Sequence, residues 1–180
     1  MRIYALAPLL FLLACGTREP DDSAPRDVVV PDGAKKRVPQ EVRDFLAGAN
    51  TLELVSLFPY SRGYDEKLWD QRGYTTGEKI DDYAVLGATT LEPADRIRVL
   101  TEFYKGIAGN DDTVAACFNP RHALRARKGT AVVTAVICFE CLQITFYKNG
   151  KRTGDALTTK DPRRLFNRVL KTAKVPLPDQ

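Results

Sequence analysis

Apolar residues recur at helical spacing in three stretches of the chain. Each stretch begins at a proline, a residue that suits the first turn of a helix. The apolar faces of the three predicted helices are Val42, Phe45, Leu46 and Ala49, then Ile97, Leu100, Phe103, Tyr104 and Ile107, and finally Leu165, Phe166, Val169 and Leu170.

Runs rich in Val, Ile, Thr and aromatic residues predict about five strands. They cover residues 52–58, 83–91, 113–127 and 131–148, with a short fifth strand after the Asn149-Gly150 turn. Residues 60–82 read as an irregular loop. The resulting order, α-β-β-α-β-β-β-α, predicts an α+β fold in which an antiparallel sheet of about five strands has its helices packed on one face.

The first residues form an export signal rather than part of this fold. An apolar run from Ile3 to Ala14 is too short to span a bilayer and fits the hydrophobic region of a secretory signal. Its end, Leu12-Leu13-Ala14-Cys15-Gly16, resembles the lipobox of bacterial lipoproteins. The resemblance implies that Cys15 is lipidated and becomes the mature N-terminus. It favours the outer membrane where the organism has one, because Gly16 is not acidic.

Composition then divides the 180 residues into three parts. Residues 1–14 are the predicted signal peptide. Residues 15–38 contain three prolines and only a few apolar side chains, so they are predicted to be the lipidated cysteine followed by a disordered tether. Residues 39–180 are long enough for a single α+β domain with its own core.

Charge is distributed unevenly within that domain. Residues 40–116 carry 8 Lys/Arg and 14 Asp/Glu, a net charge of −6, whereas residues 117–180 carry 13 and 4, a net charge of +9. The two halves either attract each other, or the basic half forms a face for an anionic envelope partner. The whole-chain charge of +4 is too small to predict a nucleic-acid binder.

Residues 117–141 contain every cysteine after Cys15 and the only histidine. If Arg127 faces Ala131 across a Lys128-Gly129-Thr130 turn, the two numbers of each facing pair sum to 258, and Cys117 lies opposite Cys141. In an oxidising envelope this register favours a Cys117–Cys141 or Cys117–Cys138 bridge, with the remaining cysteine buried.

Three other chemistries use the same residues. Cys117, His122, Cys138 and Cys141 are a tetrahedral ligand set of the kind that holds zinc, provided that a tight turn interrupts the strand between Cys138 and Cys141. Cys138-Phe-Glu-Cys141 also has the spacing of a thioredoxin-like dithiol, although no helix is predicted to follow it. In the third chemistry, a cysteine is the nucleophile and His122 is its base.

Two charged residues lie beside these cysteines. Arg121 either binds an anion next to His122 or forms an ion pair with Glu140 across the hairpin. The sequence contains no phosphate-binding loop, no nucleophile elbow and no paired carboxylates at a spacing that indicates a catalytic site.

Residues 50–148 resemble a family of bacterial proteins, many of them exported and none of known activity. The similarity lies in Leu52-Glu-Leu-Val-Ser-Leu, Tyr83-Ala-Val-Leu-Gly-Ala-Thr-Thr-Leu, Ala116-Cys-Phe-Asn-Pro-Arg-His-Ala-Leu-Arg and Val136-Ile-Cys-Phe-Glu-Cys-Leu-Gln-Ile. The resemblance transfers no function. It does imply that the Cys/His cluster is a genuine site.

The sequence therefore predicts a membrane-anchored lipoprotein of the bacterial envelope and no defined reaction. In one interpretation it is a non-enzymatic binding or structural module whose Cys/His cluster is a disulfide or metal staple. In the other it is a thiol- or zinc-dependent envelope enzyme or redox protein.

Overall fold

The computed structural model describes residues 27–178, which form five α-helices and seven strands. The helices are α1 (Asp32–Arg37), α2 (Gln40–Gly48), α3 (Glu66–Gln71), α4 (Pro93–Gly109) and α5 (Arg163–Thr172). The strands are β1 (Thr51–Leu57), β2 (Lys79–Ile80), β3 (Tyr83–Thr90), β4 (His122–Lys128), β5 (Ala131–Cys138), β6 (Gln143–Lys148) and β7 (Lys151–Leu157).

All seven strands join one sheet in the order β2-β3-β1-β4-β5-β6-β7, and every neighbouring pair is antiparallel. The α+β class is confirmed, but the prediction of about five strands and its element order are wrong in detail. The predicted run 131–148 is two strands, because residues 139–142 turn the chain between β5 and β6. Strand β2 and helix α3 lie in the segment read as an irregular loop.

The third predicted strand begins later than expected. Residues 113–121 form no strand, and β4 starts at His122. The hairpin turn is also one residue shorter than assumed, since Lys128 faces Ala131 and His122 faces Ile137. Facing residues therefore sum to 259 rather than 258, which moves every predicted partner across this hairpin by one position.

The main core lies between the sheet and helices α1, α2, α4 and α5. Its largest side chains come from both layers: Leu52, Leu54, Leu124, Ile137, Ile144 and Phe146 from strands, and Leu46, Leu100, Phe103, Tyr104, Ile107, Phe166 and Leu170 from helices. Helix α3 packs elsewhere, with Trp69 fully buried beside Phe58 and Ala84.

The folded domain begins before residue 39, so the predicted tether is too long at its C-terminal end. Helix α1 lies within residues 15–38, with Ala34 and Val38 buried in the main core and Val28 and Val30 packed against it. These few apolar residues bury enough surface to order the segment. Residues 15–26, Cys15 among them, and the predicted signal peptide lie outside the described residues.

The helices of residues 27–178 are all too short or too polar to cross a membrane.

Helices α4 and α5 approach each other at a glycine. A Cβ at Gly106 would lie 2.6 Å from Cγ of Pro162 and 2.7 Å from Oγ1 of Thr158. At Gly109, one turn later, the nearest atom would be Cγ2 of Thr159 at an ordinary 3.6 Å. Of these two glycines, only Gly106 is therefore required for packing.

We expect Gly106→Ala to lower the free energy of unfolding by roughly 1–3 kcal/mol, because overpacking against Pro162 outweighs the helical preference of alanine. Gly109→Ala is the matched control and should leave stability unchanged or slightly raised. Urea unfolding of the two variants measures both values. Equal stability of the two would contradict the close approach of α4 to the Thr158–Pro162 segment.

Candidate redox site at the β5–β6 turn

The turn between β5 and β6 is closed by a disulfide. Cys138, the last residue of β5, is bonded to Cys141, and their Cα atoms are 5.2 Å apart. Both cysteines are buried, with 1% and 0% of their surfaces exposed. Leu142, which completes the turn, has a positive φ of 59°. The sequence Ile-Cys-Phe-Glu-Cys-Leu-Gln-Ile therefore turns where its β-type composition predicts a continuous strand.

The expected bridges from Cys117 to Cys141 or Cys138 are wrong. Cys117 is a free thiol, and it is exposed rather than buried. The physical reason is the turn itself. Cys138 and Cys141 would lie on opposite faces of a continuous strand, but the reversal at residues 139–140 brings them together.

Cys117 nevertheless contacts the bridge, since its Sγ lies 3.1 Å from Sγ of Cys141. Two hydrogen bonds made by Ala115 hold the loop that carries Cys117 along the turn. The backbone N–H of Ala115 donates to the carbonyl oxygen of Cys141 at 3.1 Å, and Nε2 of Gln143 donates to the carbonyl oxygen of Ala115 at 2.7 Å. Three sulfurs thus form one contiguous cluster.

Two backbone N–H groups point at the bridged sulfurs. The N–H of Cys141 donates to Sγ of Cys138 at 3.1 Å, and the N–H of Asn119 donates to Sγ of Cys141 at 3.3 Å. A hydrogen bond of this kind is stronger when its acceptor is charged, so each donor favours a thiolate at the sulfur it contacts.

His122 lies on the helix side of the sheet, where it packs among aromatic rings. Its ring centroid is 5.3 Å from that of Phe139 and 6.0 Å from that of Phe166. Nε2 of His122 lies 2.7 Å from Oδ1 of Asn167 on α5, whereas Nδ1 is buried and has no hydrogen-bond partner.

Burial, reinforced by the positive charges of Arg163 and Arg121, lowers the pKa of His122 to about 4. The hydrogen bond to Asn167 acts in the opposite direction. The imidazole is therefore neutral at pH 7.

Arg121 and Glu140 do not pair with each other, which corrects one of the two predictions for them. Glu140 forms an ion pair with Arg163 of α5, and Nζ of Lys160 lies 3.9 Å from its other oxygen. Within residues 27–178, Arg121 has no carboxylate at ion-pair distance, and its Nε is buried without a hydrogen-bond partner. Arg121, Glu140 and Arg163 line a common cavity with His122 and Asn167.

The zinc hypothesis has no matching arrangement in the described part of the chain. No group of three or more His, Cys, Asp or Glu side chains there converges as metal ligands. Two of the four proposed ligands are bonded to each other, and His122 contacts Asn167. Zinc binding by Cys117, His122, Cys138 and Cys141 stays an untested prediction.

Three contributors to this region were not identified from the sequence. Arg163 and Asn167 lie on α5, far along the chain from the cysteines, and Asn119 acts through its backbone N–H. Asn167 carried a weak signal, because it is a polar residue next to Phe166 on the apolar stripe of an otherwise regular helix. Nothing in the sequence marks Arg163 or Asn119.

Comparisons of the chain with protein-family models, with curated proteins and with solved structures each found no match. The resemblance of residues 50–148 to a bacterial family stays a prediction. The geometry of the site at the β5–β6 turn is therefore the basis for the function proposed below.

The low pKa of His122 predicts a pH-dependent stability. The folded-state value of about 4 lies below the ordinary 6.5, so the unfolded chain takes up a proton first as pH falls. The contribution of His122 to the free energy of unfolding is fully present above pH 6.5. It falls by about 3 kcal/mol in all as the pH decreases towards 4.

His122 is the only histidine, so its ring signals in an NMR titration report on this site alone. We expect a midpoint near pH 4 in the folded protein. A midpoint near 6.5 would contradict the buried, neutral imidazole. Urea unfolding of His122→Gln, which cannot titrate here, provides the control for the stability change.

Proposed function

We propose that the protein is a lipid-anchored lipoprotein of the bacterial envelope that exchanges disulfides with other thiols through Cys117, Cys138 and Cys141. The observation that supports this function is the 3.1 Å contact between the exposed thiol of Cys117 and the buried disulfide at Cys141. A buried disulfide has no direct access to partners, so it needs an exposed relay. Cys117 occupies that position.

The first step is an internal exchange. The thiolate of Cys117 attacks Sγ of Cys141, forming a Cys117–Cys141 bond and breaking the Cys138–Cys141 bond. Cys138 leaves as a thiolate, and the N–H of Cys141 that already contacts its sulfur stabilises the new charge. No electrons are gained or lost, because one disulfide replaces another.

The second step transfers the oxidising equivalents outward. A substrate thiolate attacks Sγ of the exposed Cys117, and Cys141 leaves as a thiolate next to the N–H of Asn119. A second substrate thiol then resolves the mixed disulfide and releases Cys117. In total a substrate dithiol becomes a disulfide, while Cys138 and Cys141 become thiols that carry the two protons. A disulfide-bearing partner protein reoxidises them.

This chemistry does not require the helix that follows the cysteine pair in thioredoxin-like proteins. In those proteins the N-terminus of a helix stabilises the thiolate. Here the hydrogen bonds from the backbone of Cys141 and Asn119 take that role. The competing interpretation is that the disulfide is only a structural staple of the β5–β6 turn.

The membrane anchor is proposed from the sequence at Cys15, and a basic surface on α5 supports an anionic partner. Arg164, Arg168 and Lys171 occur at helical spacing on its exposed side, and none forms an ion pair within residues 27–178. The beginning of the described chain lies near this surface. The N–H of Val29 donates to Oγ1 of Thr101, and Thr101 lines a groove with Arg164 and Arg168.

Thirteen residues lie between Cys15 and Val29, so a lipid at Cys15 would keep this basic surface within reach of the bilayer. Each basic residue near an anionic surface contributes about 1 kcal/mol. Together the three contribute about 3 kcal/mol, which gives weak, salt-sensitive binding without the acyl anchor and orients the domain when the anchor is present.

The relay predicts that Cys117 controls access to the disulfide. In the full chain carrying Cys15→Ser, we expect the additional change Cys117→Ala to slow reduction of Cys138–Cys141 by dithiothreitol by about tenfold or more, because an adjacent thiol has a high effective concentration. Cys117→Ser is the isosteric control and should be equally slow. An unchanged rate would support the structural staple.

The contact also predicts which bond forms when one partner is removed. In the same Cys15→Ser background, Cys138→Ser should acquire a Cys117–Cys141 disulfide, detected by mass spectrometry of peptides from the unreduced protein. Cys141→Ser, in which Cys117 has lost the sulfur it contacts, should retain two free thiols. A free Cys117 in the Cys138→Ser variant would contradict the relay.

The anchor predicts a graded membrane association. Wild-type protein should fractionate with membranes and resist a high-salt wash, whereas Cys15→Ser should be extracted by salt. Adding Arg164→Gln, Arg168→Gln and Lys171→Gln to Cys15→Ser should remove the salt-sensitive part. Salt-resistant binding of Cys15→Ser would contradict the lipid anchor, and an unchanged profile for the combined variant would contradict the basic surface.

A further inference from the structure

A cavity of about 320 Å³ lies where the start of β4, the disulfide turn, α5 and the C-terminal segment meet. Its volume is at the lower end of the range for small-molecule sites, so it suits a ligand smaller than a typical drug. The residues that line it are Arg121, His122, Glu140, Arg163, Asn167, Leu177 and Pro178. The thiol chemistry proposed above uses none of them.

The charges of the cavity leave one cation without a partner. Glu140 and Arg163 neutralise each other in an ion pair. Arg121 has no ion-pair partner in the described residues, and its buried Nε makes no hydrogen bond. A single carboxylate group satisfies this cation. A phosphate dianion would place a second negative charge near Glu140, which disfavours it.

His122, one of the lining residues, has an acceptor without a donor. A neutral imidazole carries one N–H. With that hydrogen on Nε2 and directed at Oδ1 of Asn167, Nδ1 of His122 has a lone pair that no protein group contacts. His122 is only 2% exposed, so the unpaired atom is buried and needs a partner from outside the chain.

The other walls define the rest of the ligand. Leu177 and Pro178 provide apolar surface, and the carboxylate of Glu140 has lone pairs to spare for a second donor. The cavity therefore combines a free guanidinium, a buried acceptor, a carboxylate and an apolar wall.

We infer that this cavity binds a small amino carboxylate with an apolar side chain. The ligand carboxylate pairs with Arg121, its amino N–H groups donate to Nδ1 of His122 and to Glu140, and its side chain packs against Leu177 and Pro178. Binding satisfies both nitrogens that are otherwise buried without partners. This inference is independent of the proposed thiol exchange, because its binding groups are not cysteines.

Calorimetric titration of the full chain carrying Cys15→Ser tests the ligand class with matched probes. We expect saturable 1:1 binding of L-leucine, and at least tenfold weaker binding of L-leucinamide, which lacks the carboxylate, and of 4-methylpentanoate, which lacks the amine. Inorganic phosphate should also bind more weakly. No saturable binding of L-leucine, or tighter binding of phosphate, would overturn the inference.

Arg121→Gln should weaken L-leucine binding roughly ten- to a hundredfold, the usual effect of losing a hydrogen bond to a charged group. Arg164→Gln, an exposed position on α5 outside this cavity, is the control and should bind as the parent protein does. Equal binding by the two variants would overturn the assigned role of Arg121.

A second measurement needs no substitution in the cavity, so it does not require such a variant to fold. Addition of L-leucine should move the ¹⁵N signal of Nδ1 of His122, the only histidine, and the shift should saturate with the calorimetric isotherm. Binding without any change at His122 would place the ligand elsewhere and overturn the site.

Discussion

The four-residue turn from Cys138 to Cys141 is the constraint on which the functional end of this molecule depends. Three interactions fix its four residues. The disulfide joins its ends, Phe139 packs edge-on against Phe166 with ring centroids 5.3 Å apart, and Glu140 pairs with Arg163. The turn thereby connects the sheet to α5. It also presents one sulfur to Cys117 and one carboxylate to the cavity.

Ion pairs join the two oppositely charged halves of the chain within one domain. Strand β1 from the acidic half lies directly beside β4 from the basic half. Arg125, nearly buried, donates to Glu53 at 2.7 Å and also contacts Glu78, and Lys148 pairs with Glu41 at 2.9 Å. These pairs confirm the expected attraction between halves. Three of the basic residues that remain without an ion-pair partner, Arg164, Arg168 and Lys171, lie on α5.

Local sequence patterns predicted much of the fold. The spacing of apolar residues located α2, α4 and α5, because an amphipathic helix repeats its core contacts every turn. The Asn149-Gly150 turn was identified for the same local reason, since only certain residues accept positive φ there. Helix α1 was missed because Val28, Val30 and Ala34 are ordered by a distant core rather than by their neighbours.

The site was harder to predict, for reasons that are also physical. The cysteines and His122 were recognised as chemically important, but the register of the β4–β5 hairpin could not give their pairing, because Cys117 precedes β4. The β propensity of Ile137 and Phe139 concealed the reversal that joins Cys138 to Cys141. Asn167 and Arg163 approach the turn only through tertiary packing, and no spacing rule connects residues so far apart in sequence.

The short separation of Cys138 and Cys141 has a consequence for the order of events during folding. Closing a loop costs entropy that grows with its length, and these cysteines are three residues apart. Their bond can form while the rest of the chain is still unfolded. Strand β1, by contrast, must reach β4 across more than sixty residues, which makes the centre of the sheet a slow, non-local assembly. Cys117 therefore meets a bridge that already exists.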